Sequence, residues 1–305
     1  MRILLVLGLA GFVLSGQPAK AQQYYYYNNR YYDNDVVLEL GGSFGIMNAL
    51  TDLGGRKGIG KDFIKDLNWK NSKPCFGVSV TAMYRHAIGL RLAADFGEIT
   101  AYDSILLDVK ESTFGRYERN LSFKSRITDI QLGLEVHPLY FRYYEDEPPR
   151  VSPYAVIGVG YFMFDPQAKL NGRWYSLQPL RTEGQGFAEY PDRQPYDLSQ
   201  FNVAAGIGVK YEVNSFVQAR LEVNHRFLFT DYLDDVSTEY VDGALFSNYL
   251  PSSLAAVAQQ LYSRRAELNP GDITKEGQQR GDPGDKDAFF SIQLKLGITL
   301  GRQKR

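Results

Sequence analysis

The stretch FNVAAGIGVKYEVNSFVQARLEVNHRFL, residues 201–228, decides the fold of this chain. Apolar and polar side chains alternate along it in two runs, joined by the short link Val213-Asn214-Ser215. Strict alternation predicts two β-strands, because successive side chains of a strand point to opposite faces, and so short a link predicts an antiparallel hairpin. One face of the hairpin is apolar with aromatic residues near its ends, and the other is charged. This pattern is typical of a hairpin with lipid outside and a polar interior.

The same alternation recurs in six further segments. Together with the hairpin they predict an all-β fold, an eight-stranded antiparallel transmembrane β-barrel of the outer-membrane type over residues 36–301. The start of the fourth strand, Phe123 to Ile127, has the opposite parity to the rest of that strand, which predicts a bulge or a protrusion beyond the lipid. The six segments are 36–47, 76–84, 88–96, 129–136, 153–164 and 290–300.

The connections between the predicted strands alternate between long and short. Outer-membrane barrels have long loops outside the cell and short turns in the periplasm, so this asymmetry predicts that both termini are periplasmic. The predicted outer loops are 48–73, 100–119, 165–200 and 230–287.

Acids and bases are balanced on the polar face of the predicted strands. Eight strands leave an interior just wide enough for side chains, and buried charges are tolerated only when partnered, so we predict a charge-paired plug and no open pore. Alternation alone also fits a soluble lipocalin-like barrel, but the density of ionisable groups favours the membrane barrel. The predicted inward acids are Glu39, Asp95, Asp129, Glu135, Glu212 and Glu222, and the bases are Arg85, Arg91, Lys210, Arg220, Arg226 and Lys295.

The N-terminal 21 residues have the features of a secretory signal peptide, with Arg2, an apolar core and the cleavage site Ala19-Lys20-Ala21. A retained N-terminal anchor is the alternative, although the apolar core is too short to span a bilayer as a helix. Residues 22–35 form a Tyr-rich periplasmic leader, which is either a flexible leader or an aromatic contact peptide. Residues 302–305 form a basic tail.

The predicted contact with a periplasmic partner combines this leader, the turn Tyr140–Arg150 between the fourth and fifth strands, and the basic tail. Tyrosine offers a large contact area at low entropic cost and is enriched in binding surfaces. An aromatic girdle at the membrane interface is the alternative interpretation. The candidate contact residues are Tyr24, Tyr25, Tyr26, Tyr27, Tyr31, Tyr32, Tyr143 and Tyr144.

Composition excludes several kinds of site. Cys75 is the only cysteine, so neither an intramolecular disulfide nor a cysteine-based metal cluster is available. A net charge of −1 gives no electrostatic footprint for nucleic acid. The three histidines, His86, His137 and His225, fall at opposite ends of the predicted barrel, which rules out a three-histidine metal site. We expect no cofactor, and no small-molecule substrate is indicated.

Three carboxylates, Asp231, Asp234 and Asp235, lie close together at the start of the last long loop. They are weak candidates for a metal site, and together with His225 they suggest acid–base catalysis in a rim-active hydrolase. Their spacing matches no EF-hand loop, and no second catalytic cluster is visible. We therefore interpret them as structural and predict no catalytic residue and no enzyme activity. Thr182–Gly186 lacks the strand-and-helix context of a phosphate loop, so nucleotide binding is rejected.

One helix is predicted, from Ser252 to Leu268, with an apolar stripe on one face. Its main interpretation is a cover for the barrel mouth or a neighbouring loop, and partner binding is the alternative.

Four segments resemble an uncharacterised family of outer-membrane barrels related to PorG, the barrel component associated with the type IX (Por) secretion apparatus. The resemblance is good from Pro153 to Asp242 and weaker upstream, where Arg119-Asn120-Leu121-Ser122-Phe123 also fits. It implies an accessory or scaffold role beside the periplasmic ring of a secretion machine. The helix and the leader match no motif of that family. The four segments are Pro153–Gly160, Phe164–Ala168, Leu177–Gly186 and Phe229–Tyr240.

The sequence therefore predicts a non-enzymatic barrel in the cell outer membrane, surrounded by outer-membrane lipid and acting as a scaffold or accessory component of type IX secretion. A surface adhesin or loop-based binding protein is the alternative, and a hydrolase is a further one.

Overall fold

The computed structural model describes residues 25–28, 31–55, 68–113, 115–141 and 149–304. Eight antiparallel strands close into a barrel, as predicted, because β4 and β5 at the two ends of the sheet pair with each other. The strands are β1 Tyr25–Asn28, β2 Tyr31–Leu50, β3 Lys73–Tyr84, β4 Ile88–Tyr102, β5 Ser122–Val136, β6 Val151–Met163, β7 Pro166–Leu170, β8 Arg173–Ser176, β9 Ser199–Glu212, β10 Val217–Leu228 and β11 Ala288–Lys304. All except β1, β7 and β8 form the barrel wall. The α-helices are α1 Arg116–Arg119, α2 Phe246–Tyr249, α3 Ser252–Leu261 and α4 Arg265–Leu268.

The barrel carries its apolar side chains outside and its charged side chains inside. On β10, Leu221 is 56% exposed, whereas the next residue, Glu222, is 1% exposed. The outward apolar residues form a continuous band, here called the lipid belt, which is stable only against a bilayer. This distribution identifies a membrane barrel and rules out the soluble lipocalin-like alternative. The lipid belt includes Phe44, Phe76, Val78, Leu90, Leu92, Ile130, Leu132, Ile157, Val159, Ile207, Leu221, Leu294 and Leu296.

Short connections define one end of the barrel, here called the turn end. Arg85 and His86 both have positive φ, 49° and 57°, in a tight turn closed by a 3.0 Å hydrogen bond from the Ala87 N–H to the Tyr84 oxygen. Between β9 and β10, the Asn214 side-chain oxygen accepts hydrogen bonds from the backbone N–H groups of Phe216 and Val217, at 2.8 and 2.9 Å. These local bonds set the register of the two hairpins.

The segment Phe123–Ile127 contains no bulge. β5 pairs with β4 in one unbroken register from Val136 to Ser122, so the bulge alternative is wrong, and the protrusion beyond the lipid stays a prediction. The parity change arises because the inner face itself changes, from charged in the middle of the barrel to apolar near the mouth. The buried apolar residues near the mouth are Met47, Cys75, Ile99, Phe123, Ile127, Phe162, Leu228 and Phe289.

The sheet at the turn end is longer than predicted. β2 begins at Tyr31 rather than Val36, and its first residues pair with β1 and with the end of β11, which reaches Lys304. A register shift occurs beside Gly301, whose φ of 102° suits a glycine bulge. Backbone hydrogen bonds thus draw parts of the predicted leader and tail into strands, although those parts lack aliphatic side chains. The predicted signal peptide, residues 1–21, lies outside the described residues.

The described parts of the four long connections fold together at the opposite end, here called the capped end. They form a cap with an apolar core that continues the apolar layer of the barrel mouth. β7 and β8 form a hairpin that pairs with the projecting start of β5. Core residues of the cap include Leu53, Leu121, Phe164, Leu180, Phe187, Leu233, Val236, Phe246, Ala258 and Leu261.

The predicted helix from Ser252 to Leu268 is broken in two. α3 ends at Leu261, and α4 begins at Arg265 after Ser263 has turned to hydrogen-bond the hydroxyl of Thr274. The apolar stripe of α3 packs on the β7 and 178–180 segments, so the helix covers a neighbouring loop, as predicted. Among the described residues, no helix is long and apolar enough to cross a membrane.

Candidate functional site

The interior of the barrel contains a network of paired charges in two groups, one around Glu135 and Glu222 and one around Arg226. Nearest the turn end, Lys210 Nζ lies 2.6 Å from Glu39 Oε1, and Arg220 bridges Glu39 and Glu135. His137 extends this layer, since its Nε2 lies 2.6 Å from Glu135 Oε1. Four strands supply these side chains because each presents alternate residues to the interior.

Glu222 is the centre of the middle layer. Its carboxylate accepts from Arg91 Nη1 at 2.5 Å and from Lys295 Nζ at 2.6 Å, and the Tyr154 hydroxyl donates to it at 2.7 Å. Arg91 also bonds Glu135, which links the middle layer to the layer below. Each charge therefore has a partner, as burial requires.

Arg226 forms the second group of the network, below the apolar mouth. Its guanidinium binds Asp95 at 2.7 Å and Asp129 at 3.0 Å and lies beneath the ring of Phe289. A void beside Glu39 measures about 10 Å³, no more than one water molecule needs. The predicted charge-paired plug is confirmed.

One predicted member of the plug lies elsewhere. Arg85 occupies the β3–β4 turn and forms an exposed ion pair with Asp35 at 3.3 Å, because the strand ends before this residue can face the interior. In its place Arg302, assigned to the tail, reaches Glu212 at 3.3 Å.

The second buried polar cluster, here called the cap joint, ties the loops to one another. Glu183 accepts from the backbone N–H groups of Ser237 and Thr238, from the Thr238 hydroxyl, and from Arg280 Nη1 at 2.8 Å. Arg280 also donates to the backbone oxygen of Asp235 at 2.5 Å. Asp235 in turn accepts from Thr182 and Tyr196. Two distant loops are thus held by one set of bonds.

Arg119 extends the cap joint to the first and second long connections. It forms a two-point ion pair with Asp103, both contacts at 2.8 Å, and donates to the backbone oxygens of Asp52 and Arg280. Asp103 holds the pKa of the Arg119 guanidinium above its ordinary value despite burial. Arg119 therefore connects the first, second and fourth long connections directly. The third is reached through Arg280 and Glu183.

Asp231, Asp234 and Asp235 accept hydrogen bonds from different groups. Asp234 accepts from the N–H groups of Leu53 and Val236, while Asp231 accepts from the Ser237 hydroxyl at 2.6 Å. Burial raises the pKa of Asp231 to about 7 and that of Asp235 to about 6. Within the described residues no group of three or more His, Cys, Asp or Glu side chains is placed to hold a metal ion. Their contacts are those of structural groups.

His225 lies apart from these three carboxylates, on the outward parity of β10 with its ring 4.3 Å from that of Phe227. It lines a cleft of about 950 Å³ between the first and fourth loops, together with Asp52 and Asp287. The predicted hydrolase set is therefore not assembled by the fold.

Sequence reasoning missed Glu183, Arg119 and Arg280 as organising residues. Glu183 and Arg119 lie within segments that carried the family resemblance, and this was the available signal. Arg280 lies in none of the resembling segments, and only the folded cap brings it to Glu183. Two of the four resembling segments, Leu177–Gly186 and Phe229–Tyr240, therefore meet at the cap joint.

The predicted tyrosine contacts are described only in part. Tyr25, Tyr26 and Tyr27 lie on β1, and Tyr31 and Tyr32 lie on β2, all at the turn end. Tyr24, Tyr143 and Tyr144 lie outside the described residues.

The closed barrel, its lipid belt and its paired interior define an outer-membrane β-barrel. No protein family matches the chain, and no curated protein matches it.

Several solved structures of outer-membrane barrels are similar to the chain. Ail, the attachment invasion locus protein of Yersinia pestis, in complex with the heparin analogue sucrose octasulfate, has a TM-score of 0.34 and 8% identity, covering 87% of this chain and 97% of its own. Neisserial surface protein A has a TM-score of 0.32 and 9% identity, with 87% and 97% covered. The N-terminal barrel domain of Pseudomonas aeruginosa OprF has a TM-score of 0.32 and 10% identity, with 86% and 97% covered. The likeness concerns strand architecture alone.

Proposed function

We propose that this protein is a sealed, non-catalytic outer-membrane barrel that serves as a scaffold, an accessory component of a type IX secretion apparatus. The observation that carries the scaffold role is the plugged interior. Opening a path would break several buried ion pairs, and each buried charge left without its partner costs about 3–5 kcal/mol. A barrel whose described interior is filled by paired charges is expected to act through its surfaces.

The proposed role in secretion is supported by the segments that resemble the PorG-related family and by the contacts that these segments make in the cap. Their polar residues, Glu183 and Asp235 among them, hold the cap together rather than line a transport route. A stiff cap on a plugged barrel suits a component that positions other proteins.

The proposed orientation puts the cap outside the cell and the turn end in the periplasm. At the turn end, β1, β2 and β11 extend past the β3–β4 turn, since Val36 already pairs with Tyr84. The tyrosines on these strands are the proposed contact for a periplasmic secretion-ring protein. Their strand conformation also presents one edge of β1 for pairing with another chain.

Co-purification tests this contact. Because β1 and β2 include these tyrosines, deletion would remove strands, so Tyr25, Tyr26, Tyr27, Tyr31 and Tyr32 are each replaced by serine. We expect the variant to insert and fold but to lose the periplasmic partners that the wild type retains. The matched control, Asn29→Ser with Asn34→Ser, changes the same segment and keeps the partners. Equal recovery from both variants contradicts the contact, and an absence of partners for the wild type contradicts the scaffold role.

A surface-binding protein is the second candidate, favoured by the ordered cap and its cleft. An epitope inserted after Gly271, an exposed position of the cap, is expected to be labelled on intact cells. Labelling only after permeabilisation of the outer membrane would show that the proposed orientation is reversed and would exclude a surface-binding role for the cap.

A further inference from the structure

One sector of the capped end carries four basic side chains around a tryptophan, here called the basic patch: Lys124, Arg126, Lys169, Arg173 and Trp174. Lys124 Nζ lies 3.9 Å from the centre of the Trp174 ring, and Lys169 Nζ lies 6.0 Å from it. Lys169 and Trp174 are directly opposite on β7 and β8, while Lys124 pairs with Gln167. The β7–β8 hairpin therefore places Lys169 and Arg173 beside the projecting start of β5, which carries Lys124.

The basic patch lies directly above the lipid belt. On this side the belt ends at a cross-strand row, Phe76, Phe96, Thr128 and Met163. Arg126 follows Thr128 on the same face by about 7 Å along the strand, and Lys124 follows by about 13 Å. Strand tilt reduces these heights, so the cations fall within the layer where lipid headgroups lie.

The four cations outnumber the carboxylates close to them. Among the described residues, no ion pair within 4.0 Å joins any of the four to a carboxylate. Two carboxylates lie close by: Glu98 is opposite Arg126 in the register, and Asp165 accepts hydrogen bonds from Gln167 and from the Ser176 hydroxyl. Net positive charge therefore remains at this point of the membrane boundary.

The outward face towards the capped end has a different character in other sectors. Aromatic residues are exposed there, as at Tyr161, Phe201 and Phe227. Aromatic rings alone suit any bilayer interface, whereas a cluster of lysine and arginine at that depth suits an anionic headgroup.

We propose that the basic patch binds the phosphorylated headgroup of a glycolipid in the leaflet at the capped end. Arg126 and Lys169 supply charge-assisted hydrogen bonds to phosphate oxygens, Trp174 lies against the sugar, and the lipid belt below holds the acyl chains. Naming this leaflet as the outer one rests on the proposed orientation of the barrel, but the chemistry of the site does not.

Native mass spectrometry of the full-length protein in detergent tests the site, with diphosphorylated lipid A as the probe. We expect the wild type to retain bound lipid A and the double variant Arg126→Gln with Lys169→Gln to bind it about 25-fold more weakly, roughly fivefold for each cation removed. The control Lys275→Gln with Lys286→Gln removes the same charge from exposed positions of the fourth loop and is expected to bind as the wild type does. Heat-modified gel mobility verifies that each variant is folded.

Further probes separate the sources of phosphate. Lipid A without its phosphates is expected to bind weakly, phosphatidylglycerol less tightly than lipid A, and inorganic phosphate to compete only at high concentration. Equal binding by the double variant and its control, or equal binding of phosphorylated and dephosphorylated lipid A, would overturn the proposal. The measurement needs neither an oriented membrane nor a secretion partner, so its failure is distinguishable from failure of the scaffold role.

Discussion

Arg280 and Glu183 lie 97 residues apart in the chain, and their side chains meet at 2.8 Å in the buried centre of the cap. Asp235 and the Ser237–Thr238 backbone complete the contacts of the same two groups. Two loops that leave the barrel at different strands are thereby joined by one ion pair.

Removal of this ion pair is expected to loosen the cap and leave the barrel intact. Arg280→Gln strands the Glu183 carboxylate, and loss of one partner of a buried pair costs about 3–5 kcal/mol. Hydrogen exchange should rise at the amides of Ser237 and Thr238, without a change in barrel gel mobility. The control is Arg265→Gln, whose pair with Asp272 is partly exposed and contributes less than about 1 kcal/mol. Similar exchange in both variants would contradict the role of the cap joint.

The interior network predicts a second effect, on the barrel itself. Glu222→Gln leaves Arg91 and Lys295 without their shared carboxylate, so we expect a loss of about 3–5 kcal/mol in the free energy of unfolding. Urea unfolding in lipid vesicles measures it. Asp35→Asn, which breaks an exposed ion pair with Arg85, should cost less than about 1 kcal/mol. Equal losses would mean that the plug does not stabilise the barrel.

A charged residue on the outward face is expected to destabilise the barrel. Leu221→Arg places a cation at mid-depth of the lipid belt and should lower the free energy of unfolding by about 2–4 kcal/mol. Ile273→Arg makes the same change at an exposed position of the cap and should stay within about 0.5 kcal/mol of the wild type. Tolerance of Leu221→Arg in the same urea assay would contradict the assignment of faces.

Cap stability is expected to fall as pH rises from about 4 to 7. Burial raises the pKa of Asp231 to about 7 and those of Asp52 and Asp235 to about 6, so the folded cap holds protons that the unfolded chain releases near its ordinary pKa of about 4. The folded state then binds more protons than the unfolded state, and stability is highest below pH 4 and declines through these raised values.

Asp231→Asn removes one of these protonations and should flatten the pH dependence, measured as resistance of the cap to protease between pH 5 and 8. Asp192→Asn, at an exposed site, should leave the profile unchanged. A cap that becomes more resistant as pH rises would show that the sign is wrong.

Local pattern determined the barrel. Successive side chains of a strand point to opposite faces. The alternation at 201–228 therefore predicted the two strands, their apolar and polar faces and the hairpin between them, without reference to any distant residue. The inward acids and bases followed from the same parity, and all but Arg85 joined the network.

Tertiary structure decided the features that the alternation of side chains cannot predict. Phe123 and Ile127 looked out of phase because the interior changes from charged to apolar near the mouth, a property of what covers the barrel rather than of the strand. The strand pairing of Tyr31 with Lys304 depends on backbone hydrogen bonds, which carry no side-chain signature.

The partners within the cap were likewise beyond the sequence. Asp231, Asp234 and Asp235 are neighbours in the chain, yet each accepts hydrogen bonds from different groups. Arg280 meets Glu183, and Lys124 meets Trp174, only once distant loops have folded onto one barrel. The sequence by itself determined the wall and its two faces, since these repeat every two residues. Contacts between loops follow no period in the sequence, so only the folded structure decided them.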